Sequence, residues 1–488
     1  MAAQAPAAGM VLGRSDVSGL STTVFSPLTD RHSELLIFQL GTNNWQSEQE
    51  FAPGSGILHQ QLHDTFNAMP GAICHSVFPS RVQRFTRPDV RVFELDHDIP
   101  ICESVSPVSS HRWHSMSDDE FEGYRARLRD FVLDYVEEVE QQLGRNFGLF
   151  IAHHSFLNPL VMADVNRARV ARGQAAVPLM AFVHGTALLM FQHEIEGTHP
   201  EYPPRFQPRW IRERVFDDVD GAFVISESQK ERFLTIFDEF DPERIFVTPN
   251  GIDPVLFHVD DTLERDAVLA RFPTKPYEGS SQTPTHVPAG YDRMVLFAGK
   301  FADIKRIDCL LHAATAYEAT ARAAGLKVAT VIAGSGPLKD QRLYQDMAIE
   351  LGLSDVFFVG PQFQPDLALL YNVADVGVFP TKYEAFGLVF LESMACGTPV
   401  IGTAAGGPTE FVDHSVGELV HDFDTNEEFA TALGETVGRA LLEDWKRTKT
   451  ANALATASRY TITVQGERML RAFNSLFGES ESTREQLG

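Results

Sequence analysis

Short apolar runs recur along this chain, and most are followed by a stretch in which apolar positions return every three or four residues. The runs predict strands buried on both faces, and the stretches between them predict amphipathic helices, the alternation from which parallel sheets are wound. In the first half the runs fall over 34–40, 72–77, 90–95, 149–153, 177–183, 221–225 and 245–247. A second series covers 294–298, 329–333, 356–359, 376–380 and 400–402. Two wound sheets of similar size are expected.

Between the two series lies Pro249-Asn250-Gly251-Ile252-Asp253, followed to Gly290 by a stretch rich in Pro, Ser, Thr and Gly. These residues favour turns and linkers, so the domain boundary is placed near Phe257, with the cleft between domains as the default ligand site. A chain of 488 residues exceeds what one core usually supports. The expected organisation is a flexible tail over 1–30, a first domain over 31–256 and a second over 257–462. A C-terminal helix over 463–488 then returns toward the first domain and ends in a tail. Residues 96–119 and 186–214 are read as long loops, the second rich in aromatics, Pro and His; recognition, padding and an oligomer contact all remain open for them.

Apolar content of 44% and charged content of 22% belong to a globular protein. The formal charge of -25 argues against a nucleic-acid backbone or an anionic membrane surface as a general partner, since both require clustered Lys and Arg. An anionic ligand must meet local positive charge, for which Arg205, Arg209, Arg212 and Arg214 are one candidate cluster. Cys74, Cys102, Cys309 and Cys396 are scattered without metal-binding spacing, which fits a reducing, cytoplasmic setting. The Ala-rich run to Gly9 lacks the charged and apolar regions of a signal peptide, and no window is apolar for long enough to span a bilayer.

The most informative word is Tyr383-Glu-Ala-Phe-Gly-Leu-Val-Phe-Leu-Glu-Ser-Met-Ala-Cys-Gly-Thr-Pro-Val400. It places Glu384 just before, and Glu392 inside, a helix expected to start near Gly387. Two carboxylates so placed suit a polyhydroxylated ligand, and the N–H groups of a first helical turn suit an anion. By themselves the two acids read better as a helix-start charge and a solvated helix residue. The whole word, however, resembles the nucleotide-sugar site of family 4 glycosyltransferases of the GT-B fold.

That resemblance implies an α/β chain of GT-B architecture, two Rossmann-like domains facing a cleft. The implied activity is a metal-independent, retaining transfer of a hexose from a nucleotide diphosphate sugar to a soluble small-molecule acceptor. Gly299-Lys300-Phe301-Ala302-Asp303-Ile304-Lys305 follows a predicted strand where the family carries Gly-Arg and a later Lys, so Lys300 and Lys305 are expected on the diphosphate. Lys300 departs from the family's Arg and offers a point charge in place of a bidentate fork. Gly334, in Gly334-Ser-Gly-Pro, and Gly360, in Val359-Gly-Pro, resemble the base-side pocket. Glu392 is expected on the ribose. Glu384, His184 and the backbone amides around Phe386, Gly387 and Leu388 are expected on the hexose.

Gly54 and Gly56, in Pro53-Gly-Ser-Gly-Ile57, resemble the family's glycine-rich first loop, though a plain tight turn reads as well. His153 and His154 end the strand before that of His184, and a structural role suits them equally. Catalytic roles are assigned to His184, Lys305 and Glu384. No resident cofactor is expected; the donor nucleotide is expected to be UDP ahead of GDP or ADP, and a homodimer is left open. A nucleotide-sugar epimerase of the same fold and a non-catalytic nucleotide-sugar-binding subunit are the alternative readings.

Overall fold

The computed structural model describes residues 34–47, 52–81, 87–95, 116–195 and 214–477. Its strands are β1 (Leu35–Leu40), β2 (Ala72–Ser80), β3 (Val90–Glu94), β4 (Leu149–His153), β5 (Leu179–Val183), β6 (Gly221–Val224) and β7 (Ile245–Val247), then β8 (Arg293–Ala298), β9 (Val328–Ala333), β10 (Val356–Gly360), β11 (Val376–Phe379), β12 (Val400–Thr403) and β13 (Gly417–Val420). The first seven pair in the order β3-β2-β1-β4-β5-β6-β7, and the other six in the order β10-β9-β8-β11-β12-β13. Every adjacent pair is parallel. Parallel strands need crossovers, and helices covering both faces bury strands such as β4 and β9 along their whole length. The chain therefore has the two wound sheets that its apolar runs imply.

Strand order fixes where loops meet. In the first sheet the order reverses between β1 and β4, and in the second between β8 and β11. Loops leaving the C-terminal ends of strands at such a reversal part to opposite faces and leave a crevice. The loops after β1, β4 and β5 hold Thr42, His154 and His184, and those after β8 and β11 hold Lys300, Lys305 and Glu384.

The chain passes between the domains twice, and the two passages are tied together. Ile252 N–H donates to Tyr460 O at 2.9 Å, and Ile462 N–H donates to Ile252 O at 2.9 Å. The last helix, Ile462–Phe477, then packs on the first, Gly54–Ala68; Met469 and Phe473 share a buried cluster with Leu62 and Phe66. The Pro- and Ser-rich stretch after Phe257 is bound to the second domain. Lys275 N–H donates to Phe358 O of β10 at 2.7 Å, and Phe272, Val287 and Tyr291 are buried.

Two elements differ from the sequence reading. Residues 186–195, read as part of a loop, form the helix Thr186–Ile195, with Leu188 and Phe191 buried on one face. β13 was not expected, because its Gly417 and Glu418 interrupt any apolar run. Residues 1–30, 96–115 and 196–213, with Cys102, Arg205, Arg209 and Arg212, lie outside the described residues. Cys74, Cys309 and Cys396 are unpaired and buried. Among the described residues no helix is long and apolar enough to cross a membrane.

Candidate functional site

Two loops of the second domain converge at the reversal between β8 and β11. After β8 the chain makes a short 3-10 turn, Asp303–Lys305, and Arg306 then takes a left-handed backbone conformation (φ 48°) before the helix Ile307–Ala323 begins. Such a conformation is costly for a residue other than glycine and persists only when its surroundings hold it. Here the buried Arg306 guanidinium lies 2.7 Å from Asp422 and over the Phe429 ring, and Lys382 N–H donates to Ile304 O at 2.8 Å. The turn is thus anchored on both sides, and it delivers Lys305 Nζ to Glu384 Oε2 at 2.7 Å. Both side chains are half-buried.

Glu384 is held by its backbone as well as by Lys305. It bridges Gly406, and Gly407 N–H donates to Glu384 O at 2.9 Å. Any side chain at 406 would place its Cβ 2.1 Å from that carbonyl oxygen, so the contact requires glycine. Gly387 caps the helix Leu388–Ala395 in a left-handed conformation (φ 101°), which ordinary residues adopt only with strain. Among the described residues, no acceptor meets the N–H groups of Phe386, Gly387 or Leu388. Three consecutive unpaired amides beside a lysine form a site for an anion or for the oxygens of a sugar.

Glu392 lies in the same helix but in a different setting. It is buried, accepts a hydrogen bond from the Tyr371 hydroxyl at 3.2 Å, and burial pushes its pKa up to about 7. Gly334 N–H donates to Gly360 O at 2.8 Å, and Phe301 N–H donates to Ser335 O at 2.8 Å. The base-side loops and the Lys300 loop are therefore joined. Lys300 itself is half-buried.

Gly54 and Gly56 open the first helix, but in different ways. Gly54 has open space where a side chain would sit, whereas Gly56 abuts the Asn44 carbonyl and donates its N–H to Pro53 O. Gly56 thus offers no amide to a ligand.

In the first domain His184 ends β5, with its ring Nε2 3.0 Å from His153 Nδ1. His154, also buried, has a left-handed backbone (φ 70°), and its Nδ1 lies 3.0 Å from Thr42 Oγ1. Burial pushes the pKa of His154 down to about 3 and those of His153 and His184 well below the ordinary range, with neighbouring histidines adding to the shift for the latter two. All three rings are neutral. Gly185 touches the second domain: a Cβ on it would lie 2.8 Å from the Ala385 Cβ. His184 and Glu384 therefore flank one contact between the domains.

That contact includes residues to which the sequence reading gave no role in joining the domains. Ser226 Oγ donates to Ala385 O at 2.9 Å, and the Tyr383 hydroxyl meets Ser228 Oγ at 2.7 Å and the Gln229 side-chain amide at 2.9 Å. Arg232 lies over the Tyr383 ring, 4.0 Å from its centroid. Gly406 and Gly407 were also missed, although a Gly-Gly-Pro word shortly after a predicted strand is a readable signal.

Comparison with known proteins bears on this arrangement. Residues 87–256 match the model described as Glycosyltransferase Family 4, and residues 292–438 match Glycosyl transferases group 1. Over these two stretches the chain is similar to glycosyltransferases. Its curated relatives include a D-inositol 3-phosphate glycosyltransferase of Mycobacteroides abscessus, 32% identical over 55% of this chain and 55% of that protein. A protein of the same name from Saccharomonospora viridis is 32% identical over 55% of this chain and 59% of its own length. The chain thus spans little more than half the length of these relatives in the matched region.

Solved structures of the same fold include sucrose-phosphate synthase from Thermosynechococcus elongatus, with a TM-score of 0.64 at 20% identity over 92% of this chain and all of that one. HepE of Anabaena, solved with UDP and glucose, gives a TM-score of 0.59 at 16% identity over 91% of this chain and all of that one. In this chain the two wound sheets are the two halves of that fold, and their loops meet where Gly185 approaches Ala385.

Proposed function

We propose that this chain transfers a hexose, with retention of anomeric configuration, from a nucleotide diphosphate sugar to a soluble small-molecule acceptor. The observation that carries the reading is the approach of Lys305 to Glu384 beside the three unpaired amides of 386–388. A cation, a sugar-orienting carboxylate and a row of donors then occupy one crevice. Lys300 and Lys305 take the diphosphate and Glu392 the ribose. Glu384 and His184 orient the hexose, a carboxylate accepting from two hydroxyls at once.

In the transfer, the bond from the anomeric carbon to the leaving phosphate oxygen breaks, and its electron pair stays on the diphosphate. The acceptor oxygen forms the new bond on the same face, and its proton passes to the departing phosphate. No protein base is then obligatory. What the protein supplies is position and charge: Lys305 and the helix amides are aimed where negative charge develops.

UDP is the first nucleotide to test, ahead of GDP and ADP. The naming of the curated relatives makes a cyclitol phosphate the first acceptor to try. A thermal-shift panel of the three nucleotides decides the base, since a ligand that binds only the folded state raises Tm with its affinity. A shift with none of the three sinks the donor assignment. Product analysis after incubation with donor and acceptor then tests transfer and the anomeric outcome.

A further inference from the structure

A chain of buried hydrogen bonds in the first domain ends at His184, and its direction can be read from one end. Burial pushes the Cys74 thiol up to about 12, so it keeps its proton and donates it weakly to His75 O at 3.8 Å. The Cys74 sulfur is then free to accept, and the Gln39 side-chain amide donates to it at 3.2 Å. That contact orients the carboxamide, so Gln39 Oε1 faces His153 Nε2 at 3.1 Å. A carbonyl oxygen can only accept, so the His153 proton sits on Nε2.

Since His153 is neutral, its Nδ1 carries a bare lone pair. His184 Nε2 lies 3.0 Å from it and must be the donor. The second nitrogen of the neutral His184 ring, Nδ1, is therefore unprotonated, and it has no hydrogen-bond partner among the described residues. Gln39 and His153 are buried, whereas His184 is half-buried at the end of β5 beside the contact with Ala385.

We infer that Gln39 and His153 are positioning residues that fix His184 as its Nε2–H tautomer, so that the Nδ1 lone pair is presented to a donor group of the bound ligand. The inference rests on the reading that His184 meets the sugar, and it deepens that reading by specifying the chemistry accepted there. At this point the ligand must offer a hydroxyl hydrogen. A group that only accepts, such as a phosphate oxygen or a fluorine in place of the hydroxyl, meets a lone pair and is rejected. An unpaired buried acceptor is costly, so such a site discriminates strongly.

Nitrogen NMR of histidine-labelled protein without any substrate tests the tautomer, with signals assigned by the loss of one in His184→Asn and one in His153→Asn. The expected result is a single Nε2–H tautomer for both rings across neutral pH. A His184 carrying its proton on Nδ1, or a charged ring, overturns the inference whatever the variants do. Gln39→Met keeps the shape but removes the acceptor, and it is expected to shift His184 toward a mixture of tautomers and to lower kcat with donor KM little changed. A folded Gln39→Met with an unaltered His184 signal overturns the relay. If the tautomers are as expected but no sugar is transferred, the relay stands and the transferase reading fails.

Discussion

Lys305 and Glu384, 79 residues apart in the chain, meet at 2.7 Å, so the cation expected on the diphosphate is neutralised by the carboxylate expected on the sugar. A donor diphosphate would draw Lys305 off, and Glu384 would be released to the hexose hydroxyls at the same moment. The two substitutions should therefore part company. Lys305→Ala removes a charge aimed at the leaving group and is expected to lower kcat by roughly a hundred- to a thousandfold. Glu384→Gln removes the competitor for Lys305 and should bind UDP at least as tightly as the parent while transferring sugar far more slowly. Calorimetry with UDP beside steady-state kinetics checks both; near-normal turnover in Lys305→Ala, or weaker UDP binding in Glu384→Gln, would contradict the exchange.

Gly406 makes that exchange possible by letting the loop after β12 lie against the Glu384 backbone. Its φ is 74°, and a methyl group would stand 2.1 Å from Glu384 O. Gly406→Ala is expected to cost about 1–3 kcal/mol from left-handed strain and overlap with backbone. It should also displace Glu384 and depress transfer beyond what its melting temperature explains. Gly325→Ala serves as the control, because its φ of 78° carries the same left-handed strain while nothing lies within 4 Å of the space that its new Cβ would fill. Equal activity per folded molecule in Gly406→Ala and the parent would show that the loop does not position the carboxylate.

Local pattern and tertiary placement explain what could be read beforehand. Strands such as β4 and β9 are apolar at all but one position because both faces are buried, so they stand out in the sequence. β13 does not stand out, because Gly417 and Glu418 break the run and only its pairing with β12 makes it a strand. The Tyr383–Val400 word marked both glutamates, but not that Glu392 would be buried against Tyr371 while Glu384 met Lys305. Those partners are set by the reversal of strand order between β8 and β11, which no local window contains. Gln39 was missed for the same reason, since it looks like an ordinary polar residue at a strand end.

The Tyr383 hydroxyl joins the second domain to Ser228 and Gln229 of the first, so its removal should loosen the closed cleft more than it weakens either domain. Tyr383→Phe gives up two hydrogen bonds, each contributing about 1 kcal/mol, while keeping the ring beneath Arg232. The expected result is a small drop in Tm, a larger radius of gyration without ligand, and a higher donor KM that reflects the added cost of closing. Small-angle scattering with and without UDP checks this. An unchanged unliganded profile would mean that these bonds do not govern closure.

Glu392 supplies a pH signature with a definite sign. Its carboxyl is raised from 4.5 to about 7 by burial, so between those values the folded state holds a proton that the unfolded chain has released. Stability contributed by this group therefore falls as pH rises from 4.5 to 7 and levels off above it. Glu318, raised to about 7 in the same way, adds a parallel decline. Glu392→Gln keeps an acceptor for the Tyr371 hydroxyl but removes the titration, so it should gain on the parent as pH rises, by up to about 3 kcal/mol. Binding tests the ribose role separately. A ribose held by the carboxylate must wait for the proton to leave, so UDP affinity in the parent should rise as pH passes through 7, whereas Glu392→Gln should bind weakly with no such rise. Denaturant titrations at pH 5 and 8 read the first effect, and calorimetry at the same two values reads the second. Parallel stability profiles would place the Glu392 carboxyl in its ordinary range, and parallel binding profiles would remove it from the ribose.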